Sequence, residues 1–134
     1  MKGVELTWAG GEHHFLLSID LLKALQTKCD AGPEFILQRL GTRRWLVEDV
    51  IETIRLALEG GGLHKEEARR LVKIHVEDRP LTESVMTAQA VLMAALFGTE
   101  DDMPGEQAAG EGNQTETRSR EESGGSPVST SGQA

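Results

Sequence analysis

Hydrophobic and polar positions alternate at the start of this chain: Val4, Leu6 and Trp8 are separated by Glu5 and Thr7, the period of two expected of a half-buried strand. Ala9-Gly10-Gly11-Glu12 supplies the permissive backbone of a turn, and His13 to Ile19 returns as the partner strand. An isolated hairpin is marginal in water, so it must lie against the helices of the same chain. From Asp20 onward the period becomes helical. Asp20 to Lys28 turns Leu21, Leu22 and Leu25 inward, Gly32 breaks the chain, and Pro33 stands as the first helical residue of Glu34 to Leu40. The strongest pattern runs from Val47 to Glu59, where Val47, Val50, Ile51, Ile54 and Leu58 share one narrow stripe. Glu48 and Asp49 occupy its first turn, where the macrodipole favours negative charge, and Gly60 is expected to close it in the left-handed conformation. A fourth helix begins near Lys65, buries Ala68, Leu71 and Val72 with His75 partly buried beside them, and ends before Arg79-Pro80. The last runs from Leu81 to Phe97 and stops at Gly98. The predicted fold is mainly α (α+β): an N-terminal β-hairpin followed by about five short-to-medium helices, in one domain spanning 1–98.

The last helix is unusual in being apolar on two sides. At about 100° per residue, Leu81, Val85, Ala88, Leu92 and Leu96 form one stripe, and Met86, Ala90, Met93 and Phe97 form a second, roughly opposite. One stripe must dock the helix on the core. The second is covered by the hairpin or by another protomer, or it faces a partner. For the last role methionine is suited, because its flexible thioether adapts to varied apolar shapes. Met86, Ala90, Met93 and Phe97 are therefore the candidate partner-binding residues.

Charge changes the picture beyond Gly98. The chain carries a net −8, but residues 1–98 hold 12 Lys/Arg against 14 Asp/Glu, and residues 99–134 hold 2 against 8. That last segment contains no aromatic residue, Leu or Ile. It cannot bury enough apolar surface to offset its conformational entropy, and a disordered acidic tail over 99–134 is predicted. The near-neutral remainder lacks the basic footprint of a nucleic-acid surface. Cys29 is the single cysteine, so no internal disulfide is available and a reducing compartment fits. The N-terminus has no signal-peptide pattern. The longest uncharged run, Ser84 to Thr99, is shorter than the roughly 20 apolar residues that span a bilayer. A soluble intracellular protein is expected.

No residue set points to catalysis. His13 and His14 are adjacent, so on a strand they point to opposite faces, and His64, His75 and Cys29 share no metal-ligand spacing with them. Ser18 precedes Asp20 without a nucleophile elbow, and Gly60-Gly61-Gly62 lacks the Lys-Ser/Thr of a phosphate loop. No metal, no cofactor and no enzymatic activity are expected. The two helices joined by the triple glycine can also be read as a helix-turn-helix with Arg69, Arg70 and Lys73 on phosphates. Against this, residues 43–79 hold 8 basic and 8 acidic side chains, which favours a solvated charged face.

The stretch Arg43-Arg44-Trp45 through Gly60-Gly61-Gly62, with Leu25-Gln26, Ala31-Gly32-Pro33, Arg39-Leu40 and Arg79-Pro80-Leu81 around it, resembles the tail assembly chaperones of gene transfer agents and related siphophages. The resemblance covers roughly Phe15 to Gly98. It implies a chaperone, encoded by a phage, prophage or gene transfer agent, that works in the bacterial host cytoplasm. Such a protein would bind and solubilise the tape measure protein while tube subunits polymerise, with the tail tube protein as a further partner and homo-oligomers an option. Apolar helix-on-helix contact would be the means. A minor structural tail protein retained in the particle is the second reading, and a small DNA-binding regulator the third.

Overall fold

The structure is a computed structural model and describes residues 2–99; positions 100–134 of the expected disordered tail lie outside the described residues. The order is β1 (Val4–Trp8), β2 (Gly11–Phe15), α1 (Ile19–Cys29), α2 (Pro33–Gly41), α3 (Val47–Gly60), α4 (Lys65–Val72), a π-helical turn over Lys73–Glu77, and α5 (Thr82–Phe97). The expected hairpin and helices are present, mainly α with one small sheet.

The two strands pair antiparallel, with Val4 opposite Phe15 and Trp8 opposite Gly11. The turn is therefore tighter than the four residues expected. The second strand is also shorter than His13 to Ile19. It ends at Phe15 because the Leu16 N–H leaves the ladder and donates to the Ala57 carbonyl of α3 at 3.0 Å. Ser18 then becomes the N-cap of α1, its Oγ accepting from the Leu21 N–H at 3.3 Å. On the inner face of the hairpin Trp8 meets Phe15 and His75 edge-on, with ring centroids 5.9 Å apart in each case. Its indole Nε1 donates to His13 Nδ1 at 2.9 Å. On the outer face His14 meets Glu5 at 2.8 Å.

Helix α3 departs from the single narrow stripe expected of it. It packs against α1, α2, α4, α5 and β2, and every residue from Thr53 to Leu58 is buried. Val47, placed on the predicted stripe, is instead exposed, and Ile51 is half-buried. The polar positions that made the helix look one-sided are matched on the helix itself. Arg55 is buried between Glu52, one turn back, and Glu59, one turn on, the latter at 2.7 Å. Pairing at these spacings lets a guanidinium stay inside without an orphan charge.

The glycine triplet does something other than the helix stop expected of Gly60. Gly60 is still helical, Gly61 is right-handed, and the positive φ of 119° falls on Gly62. The first two glycines are required by proximity. A Cβ at Gly60 would lie 1.9 Å from the Leu16 carbonyl oxygen, and one at Gly61 would lie 1.9 Å from that of His14. The end of α3 thus presses its bare backbone onto the end of β2 and the residue that follows it, with the Leu16–Ala57 hydrogen bond as the clasp.

A second polar device joins the first three helices. Asp49, expected to serve the dipole at the start of α3, is fully buried. Its carboxylate accepts two bonds from Arg39 of α2, at 2.7 and 2.9 Å, and its Oδ2 also accepts from the Leu46 N–H at 2.8 Å. Arg39 Nη2 donates further to the Cys29 carbonyl at the end of α1, at 3.2 Å, and the guanidinium lies over the Phe35 ring at 5.2 Å. Around these polar links lies one apolar core, in which Phe15, Leu17, Leu25, Ile36, Ile54 and Leu92 are almost completely buried. No helix among the described residues is long and apolar enough to cross a membrane.

Candidate functional site

Helix α5 begins just after Pro80, whose carbonyl accepts from the Glu83 N–H at 3.1 Å. It ends where Gly98 turns to φ 82° and its N–H bonds the Ala94 carbonyl at 2.9 Å. Glu83, the single charged residue of the helix, is paired with Arg79 at 3.0 Å. From Ser84 to Phe97 the helix carries no charge.

Its inner face is made by Ser84, Ala88, Val91 and Leu92, all buried, against α3 and α2. This face is turned slightly from the predicted stripe: Ala88 and Leu92 belong to both. Leu81, Val85 and Leu96 are only half-buried, and Ser84 and Val91 replace them at the centre. The shift follows from the two neighbours. Packed against both α2 and α3, the helix turns the small residues Ser84 and Ala88 inward beside Val91 and Leu92.

The opposite face holds the four candidate residues. Met86 is 79% exposed, Phe97 58% and Met93 47%, and Ala90 is half-buried between them. The hairpin touches α5 through β1, yet it leaves this face open. Singly exposed apolar residues are ordinary, but a line of them without a charge over four turns is the kind of surface that marks an interaction site. Sequence periodicity found this stripe because both faces of α5 are apolar.

Other features were not visible in that way. Phe35, Leu46 and Val47 are exposed around the α2–α3 connection, and a shallow groove there is lined by Phe35, Gln38, Arg39, Thr42 and Arg44. The Arg39–Asp49 link lies beside them, with the Arg39 guanidinium over Phe35 and the Asp49 carboxylate on the Leu46 N–H, and no periodicity announces it. A separate open groove beside α3 is lined by both signs of charge, including Lys28, Arg55, Arg69 and Glu77. Of the three residues in the helix-turn-helix reading, Arg70 is tied to Glu67 at 2.6 Å and Lys73 to Asp78 at 2.7 Å. The hydrogen bond from Arg70 holds the Glu67 carboxyl below its ordinary range. Both cations are thus spent within the chain, as a solvated ion-paired face requires.

Cys29 is buried, and burial first, then the Asp49 carboxylate beside it, pushes its thiol up to about 12. A thiol so protonated is a poor nucleophile. His13 and His14 sit on opposite faces of the hairpin, each engaged by a different neighbour, Trp8 and Glu5.

The sequence profile of the family described as phage tail tube protein, GTA-gp10, matches residues 2–98, which is the whole of the hairpin-and-helix fold. No curated protein and no solved structure matches the chain. The chain belongs to this phage tail tube protein family. The tail context implied by the resemblance is therefore shown, while the chaperone role implied with it is overturned: the family is one of tube proteins, a structural part of the tail.

Proposed function

Taking that membership as the premise, we propose that this chain is a structural component of a phage or gene-transfer-agent tail that stays in the assembled particle. Its partners are other tail proteins, and it works by packing against them rather than by catalysis. The observation that carries the reading is the span of the family match, which coincides with the entire hairpin-and-helix unit.

The surface proposed for the contact is the outer face of α5, with Met86, Ala90, Met93 and Phe97 as the touching residues. An uncharged apolar helix face is what a permanent protein contact uses at its centre, because burying it costs no desolvation of charge. Quantitative mass spectrometry of gradient-purified particles tests the reading. The chain should be retained at a fixed ratio to the other tail proteins through successive purification steps. Progressive loss of the chain while the particles remain intact would refute a structural role.

A further inference from the structure

We propose that Trp8 and His13 form a proton-operated latch. With His13 neutral, the tip of the hairpin is seated against the π-helical turn that follows α4; with His13 protonated, the tip is released while the base of the hairpin stays in place. The device belongs to the hairpin and is independent of the role of the chain in a particle.

The direction of one hydrogen bond fixes where the proton sits. An indole N–H can only donate, and Trp8 Nε1 donates to His13 Nδ1 at 2.9 Å. Nδ1 must therefore present a lone pair, so the imidazole is neutral and carries its proton on Nε2. An imidazolium has an N–H on both nitrogens and nothing with which to accept. Proton uptake at Nδ1 thus breaks the bond and sets two N–H groups against each other. Trp8 is only 8% exposed, and a donor left without a partner in such a setting is unfavourable. The indole or the imidazole has to move.

What the indole holds is the tip of the hairpin. Its ring lies against the turn, where a Cβ on Gly10 would come 2.5 Å from it, and it meets His75 of the π-helical turn edge-on at 5.9 Å. The base is held by other means, the Leu16–Ala57 hydrogen bond and the close approach of Gly61 to the His14 carbonyl. Both are backbone contacts that do not titrate. Loss of the Trp8–His13 bond therefore loosens the stretch from Trp8 to His13 and spares the clasp at Leu16.

The charged surroundings give a protonated His13 somewhere to turn. Glu67 of α4 lies within its electrostatic reach: that carboxyl is held below its ordinary range first by the Arg70 hydrogen bond and further by charge on His13. Arg70 holds Glu67 at 2.6 Å and would share it with the imidazolium. From the π-helical turn His75 faces the same indole, and a charge there is drawn to the ring, which opposes release. Glu12 and His14, the neighbours of His13 on β2, lie on the other face of the hairpin by alternation, and His14 is engaged by Glu5.

Nuclear magnetic resonance of the full chain from about pH 8 down to about pH 5, the range in which histidine takes up its proton, tests this. At the upper end, long-range proton–nitrogen correlation should show His13 neutral with its proton on Nε2, and the Trp8 indole N–H protected from exchange. As the pH falls that protection, taken against free indole at the same pH, should drop about tenfold or more, in step with proton uptake by His13. The Leu16 amide should stay protected throughout. His13→Asn, whose carboxamide oxygen can take the place of Nδ1 without titrating, should keep the indole protected over the whole range. His75→Gln should leave the loss as it is. A His13 proton on Nδ1 at the upper end, or indole protection that does not follow His13, would overturn the proposal, and both are read on the wild-type chain without any variant. So would the same loss in a folded His13→Asn chain, or its abolition by His75→Gln. Loss of protection at Leu16 together with the indole would also overturn it, since the whole hairpin rather than its tip would then respond to acid.

Discussion

Asp49→Ala is the most demanding test of how this fold is held. Asp49 is fully buried, and its two bonds from Arg39 and one from the Leu46 N–H tie α2 to the start of α3. The Arg39 side chain is itself only 15% exposed, so removing the carboxylate leaves a mostly buried guanidinium with the Cys29 carbonyl as its remaining acceptor. Breaking such a pair from one side costs about 3–5 kcal/mol. A domain of this size has about 5–15 kcal/mol in total, and each kcal/mol moves its midpoint by about 4–8 °C. The variant should therefore melt at least about 12 °C lower, or fail to fold at about 37 °C.

The companion variant Arg39→Met with Asp49→Leu removes both charges and fills the space with apolar groups of similar length. It should recover at least about half of the loss, since exchanging a buried pair for packed apolar residues is often neutral or better. The recovery is incomplete because the Cys29 carbonyl loses its donor. Urea unfolding followed by Trp45 and Trp8 fluorescence, with the slope checked for constancy, reads all three proteins. A cost below about 1 kcal/mol for Asp49→Ala, or a double variant no better than the single one, would show that the pair is solvent-screened and the reasoning wrong.

Leu92→Ala removes a fully buried side chain and should cost about 2–5 kcal/mol, whereas Met93→Asp, one residue on, should leave the melting temperature nearly unchanged; equal effects would mean that α5 is seated differently. Gly61→Ala should cost about 1–3 kcal/mol or more, since its Cβ would meet the His14 carbonyl. Gly41→Ala, where the nearest atom is the Gln89 side chain at 3.5 Å, should stabilise by about 0.5–1 kcal/mol. Thermal melts separate the two glycines. Because the Cys29 thiol is raised from 9.0 to about 12, the folded chain holds that proton where the unfolded chain has lost it. Its contribution is complete below about pH 9 and declines toward about pH 12. Urea midpoints should fall over that range and fall less in Cys29→Ala, with labelling of Cys29 at neutral pH slow until the chain is unfolded; prompt labelling of the native chain would refute the burial argument.

Much of the fold was legible in the residues because the signals were local. The alternation of Val4, Leu6 and Trp8, the Pro33 helix start and the Gly98 stop each depend on neighbours in sequence, and each fell within a few residues of its place. The two-faced character of α5 was likewise a matter of periodicity. What the residues hid is the burial that packing between elements imposes. Asp49 looks like a first-turn acid until Arg39 is brought beside it from the preceding helix. Arg55 looks like solvent-facing charge until Glu52 and Glu59 enclose it. Gly60 and Gly61 look like a helix stop until the Leu16 and His14 carbonyls are seen against them. The tail role was misjudged for a related reason. Diffuse apolar and glycine positions mark a family and its fold, but a structural subunit and an assembly factor can share such positions, and only the family match over residues 2–98 separated them.

A tail component built in through the outer face of α5 must lose its place when that face is charged. The decisive experiment replaces the gene by one encoding Met93→Asp and counts copies per purified particle by isotope-dilution mass spectrometry. The wild-type chain should be present at a constant copy number. The variant, though folded and expressed to the same level, should be depleted from the particles by at least about tenfold, as loss of about 1.4 kcal/mol or more at a contact requires. Equal incorporation of the variant would contradict the role of this face, and absence of the wild-type chain from the particles would contradict the structural function itself.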